Sequence, residues 1–329
     1  MNGFDMLLVL QGFRETGGAF LLEFFKKMTY LGEMTTVRAF LAIIYWCIWK
    51  ELGTYLLIGW SGIRLANGAL KVTFCKYRPW IQDPRITPDP SALPTATGYS
   101  FPSGHSTNAA CVFGGTMIYK NIPWLLRIIC ALTLGLVCFS RSFPGVHFPY
   151  GVFMGAGSGL IIMVLTSFLL KWVDRHPNLD WIVVVCGLIL CVGIALYAAL
   201  KSYPVDYDAE GNILVDGAKM AANTFKGCGL GAGILVGWLL ERRTVGFSTD
   251  IEASERITRA IVGIFSYYVL TLILLPPVVF ILPDPFGIVA TNFVAMLYIM
   301  WLFPWAISKY EERAGAKTPA RAAGHFKTA

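Results

Sequence analysis

Residues 148–170 read FPYGVFMGAGSGLIIMVLTSFLL, without a single Asp, Glu, Lys or Arg. A helix that crosses the hydrocarbon core needs about 20 such residues, because every backbone polar group must find its partner inside the segment. Outward from this stretch, 181–200, 260–282 and 286–308 are also uncharged. Shorter or interrupted candidates at 36–49, 52–73, 103–119, 122–141 and 223–240 bring the expected crossings to nine. Composition agrees: of 329 residues, 56% are hydrophobic and 14% charged, where soluble domains carry about 25% charged residues. The chain reads as an all-α integral membrane protein, which excludes the soluble enzyme classes.

Residues 1–34 mix Leu and Phe with Arg14, Glu15, Lys26 and Lys27 and read as an interfacial segment. They lack the basic start and small-residue cleavage site of a secretory signal. The eight cysteines fall mostly inside apolar runs with no CxxC pair, so they read as buried hydrophobes and no metal site is expected. Lys50, Lys120, Lys171, Arg175, Arg242, Arg243, Arg256, Arg259 and the basic tail 309–329 share one side of the expected topology. The positive-inside rule makes that side, and the tail, cytoplasmic. Gly227–Gly237 (GCGLGAGILVG) marks close helix packing in lipid and lacks the strand-then-helix context of a nucleotide loop. Arg64 falls inside the second expected span, where a lone charge lines a cavity, pairs with a polar group or snorkels. The net charge of +7 calls for no nucleic-acid partner.

Three polar clusters return to the opposite, extracytoplasmic face. Lys71–Pro79 (KVTFCKYRP) closes the second span, Tyr99–Thr107 (YSFPSGHST) opens the third, and Ser140–His147 (SRSFPGVH) turns from the fourth to the fifth. They contribute Lys71, Arg78 and Arg141, and two of the chain's four histidines. Guanidinium forks and an ammonium point charge suit phosphate oxygens. Ser103, Gly104 and His105 start a helix behind Pro102, an anion-binding arrangement.

Lys-x6-Arg-Pro, Pro-Ser-Gly-His and Ser-Arg-x5-His resemble the three signature motifs of the type-2 phosphatidic acid phosphatase superfamily, membrane lipid phosphatases. The resemblance covers Lys71–His147 and implies a six-helix phosphatase-like core over residues 35–204. About three further transmembrane helices (205–308) lie outside it. It implies that His147 is the nucleophile forming a phosphohistidine, and that His105 is the general acid. Lys71, Arg78, Ser103, Gly104 and Arg141 then hold the phosphoryl oxygens, with no cofactor and no metal. The substrate class is a membrane lipid phosphate monoester or pyrophosphate, met in the bilayer. A vanadate-using haloperoxidase on the same cradle is disfavoured by the membrane-embedded composition.

One position departs from that pattern. Four residues after His147 the family carries an Asp that accepts the imidazole N–H, and here the residue is Gly151. Three readings follow. A backbone carbonyl or the Tyr150 hydroxyl orients His147; or Asp83, Asp89 or an acid of the 202–219 loop folds in; or hydrolysis is lost and a lipid-phosphate binding or transport protein remains. The 80–102 loop, rich in Pro, either roofs the site or is a plain connection.

Overall fold

The computed structural model describes residues 2–17 and 19–313. The described residues form helices joined by loops, and among them the sole β pairing is an isolated bridge between Tyr207 and Ile213. The expected basic tail lies outside the described residues beyond Arg313.

The elements run α1 (Gly3–Glu15), α2 (Ala19–Tyr30), α3 (Met34–Ile43, extended by a π turn Ile44–Ile48), α4 (Lys50–Phe74) and the short α5 (Pro79–Gln82). After a 3-10 turn at Pro90–Thr95 come α6 (Gly104–Ala109), a π turn Ala110–Gly114 and α7 (Gly115–Ile118), then α8 (Trp124–Ser142), α9 (Pro149–Arg175) and α10 (Asp180–Leu200). The last part holds α11 (Gly217–Thr244), α12 (Ala253–Val269), a π turn Leu270–Leu274, α13 (Pro276–Ile281), α14 (Phe286–Leu297), a π turn Tyr298–Leu302 and α15 (Phe303–Arg313).

All nine stretches expected to cross are helical, and five of these helices are long and apolar enough to do so: Trp124–Ser142, Pro149–Arg175, Pro177–Leu200, Ala253–Ile281 and Phe286–Arg313. Phe20–Tyr30 with Met34–Ile48 passes as a pair, bent by 54°. The remaining stretches are weaker for two physical reasons. Helices α4 and α11 have the length but carry glycines, Ser, Thr and charges. The α6–α7 segment is short. Large apolar side chains such as Leu132, Ile161 and Ile189 face outward at 64%, 62% and 66% exposure, as a lipid-facing surface requires.

The chain divides into two compact units. One contains the residues up to Val37, Ala66–Val164 and Tyr197–Thr224. In it α1 is capped by a reciprocal Asn2–Asp5 box and buries Leu7 against Ile86 and Phe148. Helix α2 lies along α8, with Phe25 packed on Phe139 and Phe143. Helix α9 approaches α6 through two glycines one turn apart: a Cβ on Gly155 would stand 2.7 Å from the Ser103 carbonyl oxygen, and one on Gly159 2.7 Å from the Ala110 Cβ. Small residues at this spacing let backbones meet inside a membrane.

The other unit contains Arg38–Leu65, Leu165–Leu196 and the chain from Phe225 onward. The glycine stretch of α11 does what its sequence suggests. Gly229, Gly233 and Gly237 face α14 and the π turn after it so closely that added Cβ atoms would lie 2.3, 2.3 and 2.5 Å from Val289 O, Phe293 O and Met300 Cβ. Ion pairs tie the polar ends of this unit: Lys50 to Glu241 at 2.6 Å, Arg259 to Glu311 at 2.7 Å, and Arg242 and the exposed Arg243 to Asp180.

Candidate active site

All seven residues singled out in the three motifs lie in the first unit. Lys71 ends α4, Arg78 precedes α5, Ser103 caps α6, Gly104 and His105 begin it, Arg141 sits in the last turn of α8, and His147 lies in the turn before α9. His147 and Arg78 are each 2% exposed, and Ser103 and Arg141 are fully buried.

The His147 ring is held at both nitrogens. Arg78 Nη1 lies 2.8 Å from Nε2, and because a guanidinium can only donate, Nε2 carries the lone pair. Nδ1 therefore bears the proton and donates it to the Ser100 carbonyl at 2.7 Å. Ser100 is itself fixed: its N–H donates to Lys76 O at 2.8 Å and its hydroxyl to Tyr77 O at 2.9 Å. Burial, then the charges of Arg78, Arg141 and Lys71, and last His105, hold the His147 pKa well below its ordinary value. The ring is thus neutral with a lone pair on Nε2, the form a nucleophile requires.

A backbone carbonyl therefore stands where the resemblance places a carboxylate. A Cβ on Gly151 would lie 3.6 Å from the Ser100 oxygen, so the glycine faces the very acceptor that takes the Nδ1 proton. Gly151 also accepts the Ser103 N–H at 3.0 Å, tying the start of α9 to the start of α6. Five other acceptors considered from sequence are engaged elsewhere. Asp83 pairs with Arg85 at 2.7 Å, Asp89 caps the turn at Ser91, Asp206 takes the Tyr77 hydroxyl, and Asp208 and Asp216 bond their own loop. Tyr150 stacks on Phe148.

Arg78 is anchored to protein groups through four of its five N–H donors: Nε donates to Gly98 O, Nη2 to Thr97 O, and Nη1 to Val146 O and His147. Its burial and the neighbouring Arg141 both push its pKa down, so its charge is costly until an anion arrives. Arg141 is different. Nη1 donates to Thr29 Oγ1 at 2.6 Å, while Nε and Nη2 are buried without a hydrogen-bond partner. Two aligned donors on one fork fit two oxygens of a phosphate.

Four residues outside the seven complete the setting. Thr29 accepts from Arg141 and Ser140, and Gly32 accepts from Asn108 at 2.9 Å while its Cα side meets His105. The Glu33 carboxyl, raised by burial and lowered less by Arg141, puts a negative group beside that arginine. Arg14 on α1 donates to Phe143 O and Thr87 O, stitching the 80–102 loop to the turn that carries His147. That loop also packs Ala92 and Ala96 on Val146, so it braces Arg78 and His147. Sequence reasoning missed Thr29, Glu33 and Arg14, which lie far from the motifs and show no periodic signal. Ser100 acts through its backbone, which no side-chain motif records.

Residues 50–178 match the PAP2 superfamily and residues 225–314 the PAP2 superfamily phosphatase, transmembrane extension. Phosphatidylglycerophosphatase B of Bacillus subtilis (strain 168) is 33% identical over 161 residues, 45% of this chain and 74% of its own length. The crystal structure of Aquifex aeolicus LpxE is 24% identical, with a TM-score of 0.42 over 48% of this chain and 92% of that one. A buried histidine held in one tautomer among three motif cations, together with the two family matches and the B. subtilis relative, makes the chain a multi-pass membrane member of the PAP2 superfamily of phosphatases.

Proposed function

We propose that the protein is a metal-independent lipid phosphatase working through a phosphohistidine. The observation that carries this reading is the His147 ring, neutral and buried, with Nε2 as acceptor beside Arg78 and the open donors of Arg141. An incoming phosphate offers oxygens to Arg78 and Arg141, and Arg78 releases Nε2 as it turns to the substrate. Nε2 then attacks phosphorus, a P–N bond forms, and the bond to the leaving oxygen breaks as His105 gives that oxygen a proton. Water, losing its proton to His105, next attacks phosphorus; the P–N bond breaks, free phosphate leaves and His147 returns neutral. Splitting one displacement into two lowers each barrier, and the fixed cations match the charge on the equatorial oxygens.

The substrate is a phosphate monoester or pyrophosphate of a membrane lipid, as the name of the B. subtilis relative suggests. The site opens extracytoplasmically, with residues 35–204 as the phosphatase-like core, 205–308 as added spans and the tail in the cytoplasm. The alternative of a disarmed binding or transport protein draws on Gly151 and on the added spans; the Ser100 carbonyl, accepting the Nδ1 proton, supports the working enzyme instead.

The test is phosphate release from a panel of lipid phosphates by detergent-purified protein in excess EDTA, with trapping of an acid-labile phosphoprotein. Release that survives EDTA and falls by at least ~10³-fold in His147→Ala, with loss of the trapped species, supports the reading. Release that needs a divalent ion, or survives in His147→Ala, overturns it.

A further inference from the structure

Among the described residues of the second unit, every cation that is not exposed, but for two, has a carboxylate. Lys50 has Glu241, Arg259 has Glu311, and Arg242 and Arg243 have Asp180. The exceptions are Arg38 on α3 and Arg64 on α4. Neither forms an ion pair among the described residues. Arg38 Nη2 donates to the Asn292 side-chain oxygen at 3.1 Å, but the Nε of both arginines is shielded from solvent without a partner. The charge of Arg38 acts on Arg64, so two like charges share one place. The buried hydroxyl of Tyr267, on α12, lies beside Arg38. Asn292 is held in turn, its Nδ2 donating to Ile288 O at 2.9 Å, which presents its oxygen to Arg38.

Snorkelling does not account for Arg64. At about 1.5 Å per residue it lies roughly 15 Å from the Phe74 end of α4 and roughly 21 Å from the Lys50 end, beyond the reach of one side chain. Two guanidiniums within helices of a membrane protein repel each other, the Nε of each is cut off from solvent, and an anion offsets both costs. Planar forks with free Nε donors select an oxyanion that accepts in parallel, and phosphate does so best.

We propose that Arg38 and Arg64, supported by Asn292 and Tyr267, form a second, non-catalytic site for a phosphate-type oxyanion in the membrane-spanning part of the protein. Its ligand is either the phosphate of an anionic lipid lodged among the helices or free inorganic phosphate. The proposal shares no residue with the site around His147 and does not depend on turnover there.

The experiment measures binding stoichiometry on the full chain in neutral detergent, carrying His147→Ala so that no probe is hydrolysed. The probes are radiolabelled inorganic phosphate and a radiolabelled short-chain phosphatidate, with phosphatidylcholine as the uncharged-headgroup control. We expect Arg64→Gln and Arg38→Gln each to remove one bound equivalent per chain, or to weaken it at least tenfold, and Arg64→Lys to retain part of it. Loss in the phosphate arm assigns the free ion, and loss in the phosphatidate arm alone assigns the lipid headgroup. Stoichiometry and affinity unchanged by Arg64→Gln in both arms overturn the proposal. If that variant is not monodisperse on size exclusion, Arg38→Gln and Arg64→Lys carry the same comparison, and unchanged binding in both overturns it equally.

Discussion

His147 takes its orientation from a peptide carbonyl, and this has a consequence for Gly151. An Asp placed there would bring its carboxylate against the Ser100 oxygen, whose Cβ distance is already 3.6 Å, with the Nδ1 proton taken. We expect Gly151→Asp to destabilise the protein by about 1–3 kcal/mol and to lower phosphate release, because a buried acceptor is added without a donor. Melting temperature and initial rates on the same preparation check this; a rate gain would mean that the carboxylate displaces the carbonyl productively. The neutral ring also sets a pH dependence. Its folded pKa is depressed, so the unfolded chain binds a proton there below about 6.5 while the folded chain does not. This contribution to stability is full above that pH and is lost as pH falls towards the folded pKa. Thermal melts between pH 8 and pH 5 are expected to show a steeper acid decline in wild type than in His147→Gln. Glu33 gives the opposite electrostatic lever, since its ionised carboxyl competes with phosphate for Arg141. Glu33→Gln is expected to lower KM two- to fivefold at pH 7, about 0.5–1 kcal/mol, with little change at a pH where the acid is protonated. Equal KM values at both pH values would remove Glu33 from the site.

At the scale of elements, the site depends on helices meeting closely. The break between α2 and α3 brings Thr29, Gly32 and Glu33 to Arg141, Asn108 and His105. Thr29→Val keeps the shape but strands the Arg141 Nη1 donor, a loss of about 1–3 kcal/mol. The expected readout is a raised KM with kcat less affected, because the chemistry at His147 is untouched. A fall in kcat alone would place Thr29 nearer the reacting atoms. In the other unit, Gly233→Ala puts a Cβ 2.3 Å from the Phe293 carbonyl oxygen. Prying α11 from α14 is expected to cost about 1–3 kcal/mol, read as a lower melting temperature in detergent. The glycine repeat that produces this contact was legible in the sequence. The pair Gly155 and Gly159, which seats α6 beside α9, was not singled out, because it lies within a run whose apolar character already explained it.

For the whole molecule, the expected arrangement puts the 80–102 loop outside the cell and the α9–α10 connection inside. Cysteines introduced at Leu93 and Leu179, both exposed at 39% and 36%, separate the two faces. A membrane-impermeant maleimide is expected to label Leu93→Cys in intact cells above the wild-type level, and Leu179→Cys only after permeabilisation. The reverse pattern would invert the topology. The helix count also belongs to this scale. Hydropathy alone favours helices that face lipid, and α4 and α11, which carry glycines, polar residues and charges, stand out less by it.

Composition and uncharged runs determined that the chain is helical and membrane-embedded, because the bilayer allows few other solutions. Three short motifs pointed to the residues proposed as the phosphate cradle, since charges at membrane depth are too costly to be scattered there. Only the tertiary structure decided what orients His147. A peptide carbonyl is present at every residue, and only folding brings the one at Ser100 within 2.7 Å of Nδ1. The same holds for Thr29 beside Arg141 and for Arg38 beside Arg64, pairs separated by long stretches of chain, whose meeting depends on helix packing that local residue patterns do not encode.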